Sequence, residues 1–438
     1  MSNRAHNLHR QGAHLPLYPL VLTDMGHGGE AVGRHEGRVI FVPYGIPGET
    51  VRVQLVEERT HYARGRIVEL LKASPDRVVP PCPYFGLCGG CHWQQIAYER
   101  QLRLKEEIVR NLLWRIGKQA GAPVRPTLGM EHPWAYRNHV QCVLADGRIG
   151  YYASQSHELV AVERCAITHP ALQTLWRVIA EMPWGLRRAS LRVGTATGER
   201  LVILEGGRHP EALVQRLEAQ GVSCVQKARG DHWRVLCGMD AYHERLDERT
   251  YRVSALSFFQ VNTAQAERLL AVVGEYLALR PEETLLDVYC GVGLLALSLA
   301  ATRTCRGAGR VIGIESSPWA IRDAVANTKA LSDLCAEVAF HEGSVEDVLP
   351  QLTCRPDAIV LDPPRAGCSS RALDALLACD ARRIVYVSCD PATLARDISR
   401  CVARGYELLA VQPIDMFPQT YHIECVALLR RRDSVAAG

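Results

Sequence analysis

Thr284-Leu285-Leu286-Asp287-Val288-Tyr289-Cys290-Gly291-Val292-Gly293 runs from a short apolar stretch to an acid and then into a glycine-bearing turn. An apolar run bounded in this way reads as a buried strand, and its glycines let the backbone turn sharply and approach a ligand closely. A helix-like run to Ala301 follows, and further apolar strand candidates stand at Arg310–Glu315, Ala358–Asp362 and Arg383–Val387. Continuous apolar strands alternating with helices predict a parallel sheet covered on both faces, a Rossmann-like α/β domain over residues 256–438. Glu315 closes the second of these strands, 22 residues past Gly293. An acid at that place accepts hydrogen bonds from ribose hydroxyls. Ala296 occupies the third glycine position of the dinucleotide pattern. An adenosine cofactor without a pyrophosphate to cradle, S-adenosylmethionine, therefore fits better than NAD or FAD.

Two further strand ends carry reactive side chains. In Val385-Tyr386-Val387-Ser388-Cys389-Asp390-Pro391, Cys389 lies just beyond a buried strand, where open α/β sheets expose catalytic groups. A deprotonated thiol there is a nucleophile, although strand-end cysteines also occur as plain core residues. In His422-Ile423-Glu424-Cys425-Val426 an acid heads an apolar strand. Taken alone it reads as a solvated carboxylate, with a general base as the alternative.

The chain has 438 residues, a formal charge of +4, 47% hydrophobic and 22% charged residues, and 16 cysteines. Those proportions are those of a soluble globular protein of several domains and exclude wholesale disorder and low-complexity architectures. The longest nearly apolar run, around Tyr289–Ala301, is too short to span a bilayer. Met1–Leu22 lacks a basic region followed by an apolar block, so a cytoplasmic protein without membrane association is expected. Its cysteines should then stay reduced and serve packing, metal binding or catalysis.

Cys82-x5-Cys88-Gly89-Gly90-Cys91 is the densest group of them. Thiolates so spaced converge on one centre if the backbone coils tightly, which Gly89-Gly90 permits. A fourth ligand must come from downstream, where Cys142 and Cys165 are the nearest candidates. Zinc and an iron–sulfur cluster both accept four cysteines. The absence of a second Cys-x2-Cys knuckle tilts the reading to [4Fe–4S]. Most of the other cysteines, Cys224, Cys237, Cys290, Cys305, Cys335, Cys354, Cys368, Cys379, Cys401 and Cys425, read as small core residues.

Upstream, Tyr18–Leu71 alternates short β-patterned runs with glycine and proline turns, which suggests a small β-barrel over residues 14–73. Ala73–Pro81 reads as a linker because its prolines exclude helix. A helix-like segment, Tyr98–Ile116, follows, and the remainder to residue 255 reads as one α/β unit with the cysteine group, residues 78–255. The first 130 residues carry a net charge of +6 and the rest −2. That asymmetry suits either an ordinary solvated surface or a polyanionic partner.

Together these motifs resemble the RNA uracil-5-methyltransferase family, in particular 23S rRNA members with an N-terminal TRAM domain. Gly45-Ile46-Pro47-Gly48-Glu49 and the β-pattern around it look like TRAM, an OB-like RNA-binding barrel. The resemblance implies [4Fe–4S] ligation by Cys82, Cys88, Cys91 and Cys165. It implies S-adenosylmethionine contacts from Gln260, Tyr289, Gly291, Gly293, Glu315 and Asp362. Asp362-Pro363-Pro364-Arg365 would line the uracil pocket, Ser388–Asp397 matches the nucleophile signature and Met416–Glu424 the signature carrying the base. Leu294, Gly343-Ser344 and Gln419-Thr420-Tyr421 depart from residues found in some members.

The implied chemistry explains the residue types. C5 of uracil is a poor nucleophile until a thiolate adds to C6, which makes the ring an enolate. The resemblance assigns Cys389 as that nucleophile, Glu424 as the base that removes the C5 proton, and Asp362 to the pocket. The target base must leave its stack, which costs least in single-stranded or loop RNA. A 23S rRNA uridine is the expected target, with transfer RNA as the alternative, and the enzyme is expected to act as a monomer. An amino-methyltransferase using Asp362-Pro363-Pro364 is the rival reading, but such enzymes place an aromatic where this chain has Arg365.

Overall fold

The computed structural model describes residues 17–181, 185–207, 211–227, 233–303, 307–353 and 355–432. Residues 14–16 of the expected barrel, and Cys305 and Cys354, lie outside them. Among the described residues, five strands close a barrel, seven form a central sheet with a two-stranded hairpin beside it, and seven form the C-terminal sheet. No helix among them is long and apolar enough to cross a membrane.

The barrel runs Leu17–Met25, Ala31–His35, Arg38–Val42, Tyr62–Lys72, Thr50–Glu58 and back to the first strand. Alternation sends Leu20, Leu22, Ile40, Val42, Val51 and Val53 inward. Gly45 lies so close to Leu22 that a Cβ there would strike its side chain. Glu49, fully buried, accepts from the Ile46 amide at 2.9 Å and pairs with Arg77 through both oxygens, at 2.6 and 2.8 Å. It also accepts from the Ser74 amide at 3.3 Å. The proline-rich stretch after the barrel is therefore fixed along its path, unlike a free linker.

In the central sheet Leu186–Val193 lies between Arg200–Gly206 and His139–Ala145, and the helices Pro170–Ala180 and Glu211–Glu218 cover it. Cys142, Cys224 and Cys237 belong to this core, and Cys290, Cys368, Cys401 and Cys425 are buried elsewhere. Cys335 is exposed, against the expectation of a core role.

The C-terminal sheet has the order Glu337–Glu342, Arg310–Glu315, Thr284–Val288, Ala358–Leu361, Arg383–Ser388, Glu424–Arg431, Tyr406–Ile414. The first five are parallel, as the sequence suggests. Glu424–Arg431 instead runs antiparallel to both neighbours, with Ser388 opposite Cys425. The loop 415–423 joins it to the edge strand without a crossover helix, and such a connection reverses direction. The antiparallel insertion places the start of the last strand beside the end of Arg383–Ser388.

The helix Tyr98–Arg115 packs against the helix Pro391–Ala403 and the edge strand Tyr406–Ile414. From it, the buried Lys105 places Nζ 2.5 Å from Asp415 Oδ1 and donates to the carbonyls of Phe417 (3.3 Å) and His422 (2.8 Å). Tyr98 donates to the other Asp415 oxygen at 2.9 Å. Gln101 and Gln419 exchange hydrogen bonds at 3.0 and 3.1 Å. This helix thus braces the loop that leads into Glu424. Burial pulls the Lys105 ammonium down and Asp415 pulls it back up. Removing one partner of such a pair strands a buried charge. Lys105→Met should cost about 3–5 kcal/mol in urea unfolding followed by tryptophan fluorescence, and adding Asp415→Leu should recover part of the loss. A single variant as stable as the parent would show that the pair is not a buried brace.

Candidate active site

The sheet order switches direction between Thr284–Val288 and Ala358–Leu361, and ligands of open α/β sheets bind beyond the strand carboxyl ends at such a point. After Val288 the backbone turns through left-handed positions at Tyr289 (φ 65°), Gly291 (φ 55°) and Gly293 (φ 84°). The space where a Gly291 Cβ would project is open for 4 Å. Gly291 donates its N–H to Glu315 Oε2 at 3.2 Å, and Ser317 N–H donates to Glu315 Oε1 at 2.8 Å. The acid at the end of the second strand is thus held against the glycine loop. This cradle fits an adenosine ligand: open volume over a glycine, with a half-buried carboxylate at its edge.

Beneath the loop, Asp287 is fully buried, accepts from Ala296 N–H at 2.7 Å and leaves Oδ1 without a partner. Burial, with smaller contributions from Asp362 and Glu315, lifts its carboxyl from 3.8 to about 8. The Ala296 amide opposes the rise.

Across the switch point, Asp362 begins the segment after Ala358–Leu361, and its N–H donates to the Val288 carbonyl at 3.3 Å. Cys389 follows Ser388, half-buried, and Glu424 opens the reversed strand, 3% exposed. Side chains from three distant stretches thus lie close enough to act on one another by charge. Burial pushes the Cys389 thiol up to about 11; Glu424 and Asp362 add to the rise, and Arg365 opposes it by charge and hydrogen bond. Burial raises both carboxyls, and the Asp362 charge raises Glu424 further. Glu424 Oε1 is buried without a hydrogen-bond partner.

Arg365 and His422 had no individual role in the sequence reading. Arg365 Nη2 stands 3.3 Å from His422 Nδ1 while its guanidinium touches the thiol. Burial, followed by the nearby cations Arg365, His92, Lys105 and Arg137, holds His422 down at about 3 and hence neutral, so it accepts from Arg365. The spacing of Arg365 from Asp362 was the available signal; the His422 contact spans 57 positions and had none.

Gln260 is buried in the segment 258–262, whose ends are tied to two other regions. Asn138 Nδ2 donates to the Gln260 carbonyl at 3.2 Å, and Asn262 Nδ2 donates to the Met416 carbonyl at 3.0 Å. Phe258 beside it is 68% exposed.

Cys82, Cys88, Cys91 and Cys165 line one cavity of about 440 Å³, with Arg137 and Phe258 on its wall. Gly90 N–H donates to Cys88 Sγ at 3.4 Å. Cys142, the other downstream candidate, turns into the central sheet and donates to the Ala189 carbonyl at 3.2 Å. Among the described residues, no three His, Cys, Asp or Glu side chains are gathered as tightly as one metal ion requires. Burial raises the Cys88 and Cys91 thiols, and the charges of Cys82 and Cys165 add to the rise, so the four sulfurs lie near one another.

The family model described as tRNA (Uracil-5-)-methyltransferase matches residues 346–432, and the TRAM domain model matches 18–68. A third, described as protein-L-isoaspartate(D-aspartate) O-methyltransferase, matches 208–348. An uncharacterized RNA methyltransferase of Halalkalibacterium halodurans is 36% identical, over 94% of this chain and 97% of its own. Another, of Thermosynechococcus vestitus, is 37% identical over 96% and 98%. The crystal structure of Pyrococcus abyssi tRNA (uracil-54, C5)-methyltransferase in complex with S-adenosyl-L-homocysteine superposes with a TM-score of 0.73 at 26% identity. It covers 94% of this chain and all of that one. The chain belongs to the RNA uracil-5-methyltransferase family. It is an S-adenosylmethionine-dependent RNA methyltransferase, and its five-stranded barrel is a TRAM domain.

In this methyltransferase the buried Asp287 links folding to pH. Its folded carboxyl titrates near 8 and an unfolded one near 3.8. Between those values the unfolded chain sheds a proton that the folded chain keeps. This contribution to stability is therefore whole below about 4 and lost as the pH climbs to about 8. Asp287→Asn keeps an acceptor for the Ala296 amide and should gain on the parent by about 1.4 kcal/mol per pH unit in that window. Parallel stability–pH curves for the two proteins would refute the assignment.

Proposed function

We propose that this enzyme methylates C5 of a uridine in 23S rRNA through a covalent adduct. The observation that carries the reading is the meeting of Cys389, Asp362 and Glu424 at one rim, with a buried Glu424 oxygen lacking any partner. In the proposed cycle Cys389 loses its proton to water as uracil enters, with the Arg365 guanidinium against its sulfur favouring the thiolate. The thiolate forms a bond to C6, and the C5=C6 electrons move toward O4. C5 then takes the methyl group of S-adenosylmethionine, and S-adenosylhomocysteine leaves. The Glu424 carboxylate removes the C5 proton; those electrons restore C5=C6 and the Cys389 thiolate departs. Asp362 holds the base, and Gln260, Tyr289, Gly291, Gly293, Glu315 and Asp362 hold the donor. The division into residues 14–73, 78–255 and 256–438, cytoplasmic location and a monomeric state complete the proposal.

A transfer-RNA target is the second reading, favoured by the superposition on an enzyme named for a tRNA uracil. That match covers too much of this chain to omit the barrel, so a TRAM domain does not separate the two targets. Tritium release from [5-³H]uridine-labelled rRNA and tRNA tests target and mechanism together. The parent should release tritium with rRNA and spare tRNA. Cys389→Ala should release none, and Glu424→Gln should accumulate a covalent RNA complex that survives denaturation. Full methylation by Cys389→Ala would overturn the mechanism, and activity confined to tRNA would overturn the target.

For the cavity at Cys82, Cys88, Cys91 and Cys165 we propose a [4Fe–4S] cluster, supported by its four-thiol lining and the Gly90 N–H aimed at Cys88 Sγ. The mechanism has no redox step, so the cluster would order the surrounding chain. Anaerobic purification should give a brown protein with about four irons per chain. Chelation should then lower its melting temperature, and a colourless protein with one zinc would refute the cluster.

A further inference from the structure

One turn of the barrel reaches the rim of the methyltransferase sheet. Residues 26–30 close on themselves, with Gly26 N–H donating to the Glu30 carbonyl at 2.8 Å and Gly29 N–H to the Gly26 carbonyl at 2.9 Å. Gly29 sits so close to the Tyr421 ring that a Cβ would lie 2.6 Å from it, and its carbonyl accepts from Trp93 Nε1 at 3.0 Å. At the same turn, His27 Nε2 lies 3.3 Å from Asp390 Oδ2.

Asp390 is the residue after Cys389, and its two oxygens are divided between two tasks. Oδ1 caps the helix Pro391–Ala403, accepting from the amides of Ala392 (2.9 Å) and Thr393 (3.0 Å). Oδ2 faces His27 of the barrel. Ser388 closes the other side, with its hydroxyl accepting from the Asp390 N–H at 3.2 Å and donating to the Asp390 carbonyl at 3.0 Å. The Cys389 backbone is thus held between a serine loop and a carboxylate whose free oxygen is engaged from another domain. A proton on His27 Nε2 makes it the donor, and leaves Nδ1, buried and without a partner, as an acceptor.

We propose that His27 is a positioning residue for Cys389, fixing the nucleophile loop from the barrel through Asp390. The inference rests on the reading of Cys389 as the nucleophile. Nothing else from the barrel is hydrogen-bonded to Asp390 among the described residues, while the cap through Oδ1 survives without His27. Loss of His27 therefore frees the loop without unwinding the helix. The effect falls on the rate of thiolate addition and not on RNA affinity, because Nε2 is taken by Asp390 and Nδ1 is buried, although the His27 side chain as a whole is 37% exposed.

The test uses the full-length enzyme with two RNAs: one with uridine at the target, which gives kcat and KM, and one with 5-fluorouridine there, where fluorine blocks elimination and the C6 adduct persists. His27→Ala should lower kcat and the single-turnover rate of adduct formation by about tenfold, the loss typical of one charge-assisted hydrogen bond. KM for RNA and for S-adenosylmethionine should stay within about twofold of the parent. His27→Gln, whose terminal amide reaches Asp390, should restore most of the rate, and His27→Asn, too short to reach, should behave like Ala. A raised KM for RNA with kcat intact would make His27 an RNA contact and overturn the proposal, as would an unchanged adduct rate in His27→Ala or a Gln variant as slow as Ala. Full methylation by Cys389→Ala would instead remove the underlying reading of the nucleophile.

Discussion

Because Glu424–Arg431 inserts antiparallel between Arg383–Ser388 and Tyr406–Ile414, its first residue stands beside the last residue of a parallel strand. A parallel strand in that place would have carried Glu424 to the opposite edge of the sheet, far from Cys389. The reversal lets an acid at a strand start and a cysteine at a strand end share one rim with Asp362. Burial raises the carboxyls and the thiol of that rim, the Asp362 charge raises Glu424 further, and both carboxylates add to the rise of Cys389.

A strand reversed in this way needs its preceding loop held, since 415–423 crosses the rim with no crossover helix to support it. The helix Tyr98–Arg115 supplies the support from outside the sheet: Lys105 and Tyr98 take both oxygens of Asp415, and Gln101 locks Gln419, which sits at φ 69°. Ion pairs without solvent contribute little net stability, but they penalise wrong arrangements heavily. That property suits a loop that carries Glu424, the base in the proposed mechanism. His92 and Trp93, just past Cys91, donate their amides to the Gln419 carbonyl at 3.0 and 3.1 Å, so the cysteine loop abuts the same point.

Much of this was legible in the sequence because it is local. The strand-to-glycine turn at Thr284–Gly293, the acid at Glu315, the barrel pattern and the cysteine group each declare themselves within a few residues. The family resemblance extended that reading to the separate pieces of the pocket. What stayed hidden depends on contacts between distant positions. The apolar run after Glu424 marks a strand but carries no direction, so the reversal was missed. Ala73–Pro81 has the composition of a free linker, and only the buried Glu49 beneath it shows why it is fixed. Lys105 looks like one more charge on an amphipathic helix until its partner, 310 positions away, is seen.

The tie at Glu49 also bears on what the barrel can do. A module joined by a loose tether samples many distances from the pocket, and its contribution to binding is a matter of effective concentration. Here Arg77 and Ser74 fix the exit from the barrel, while Gly29 rests on Tyr421. The span from the barrel surface to the thiol is therefore a set length, like the gap of a caliper. On the proposed mechanism, an RNA that engages the barrel and the Cys389 thiol together has to span that gap.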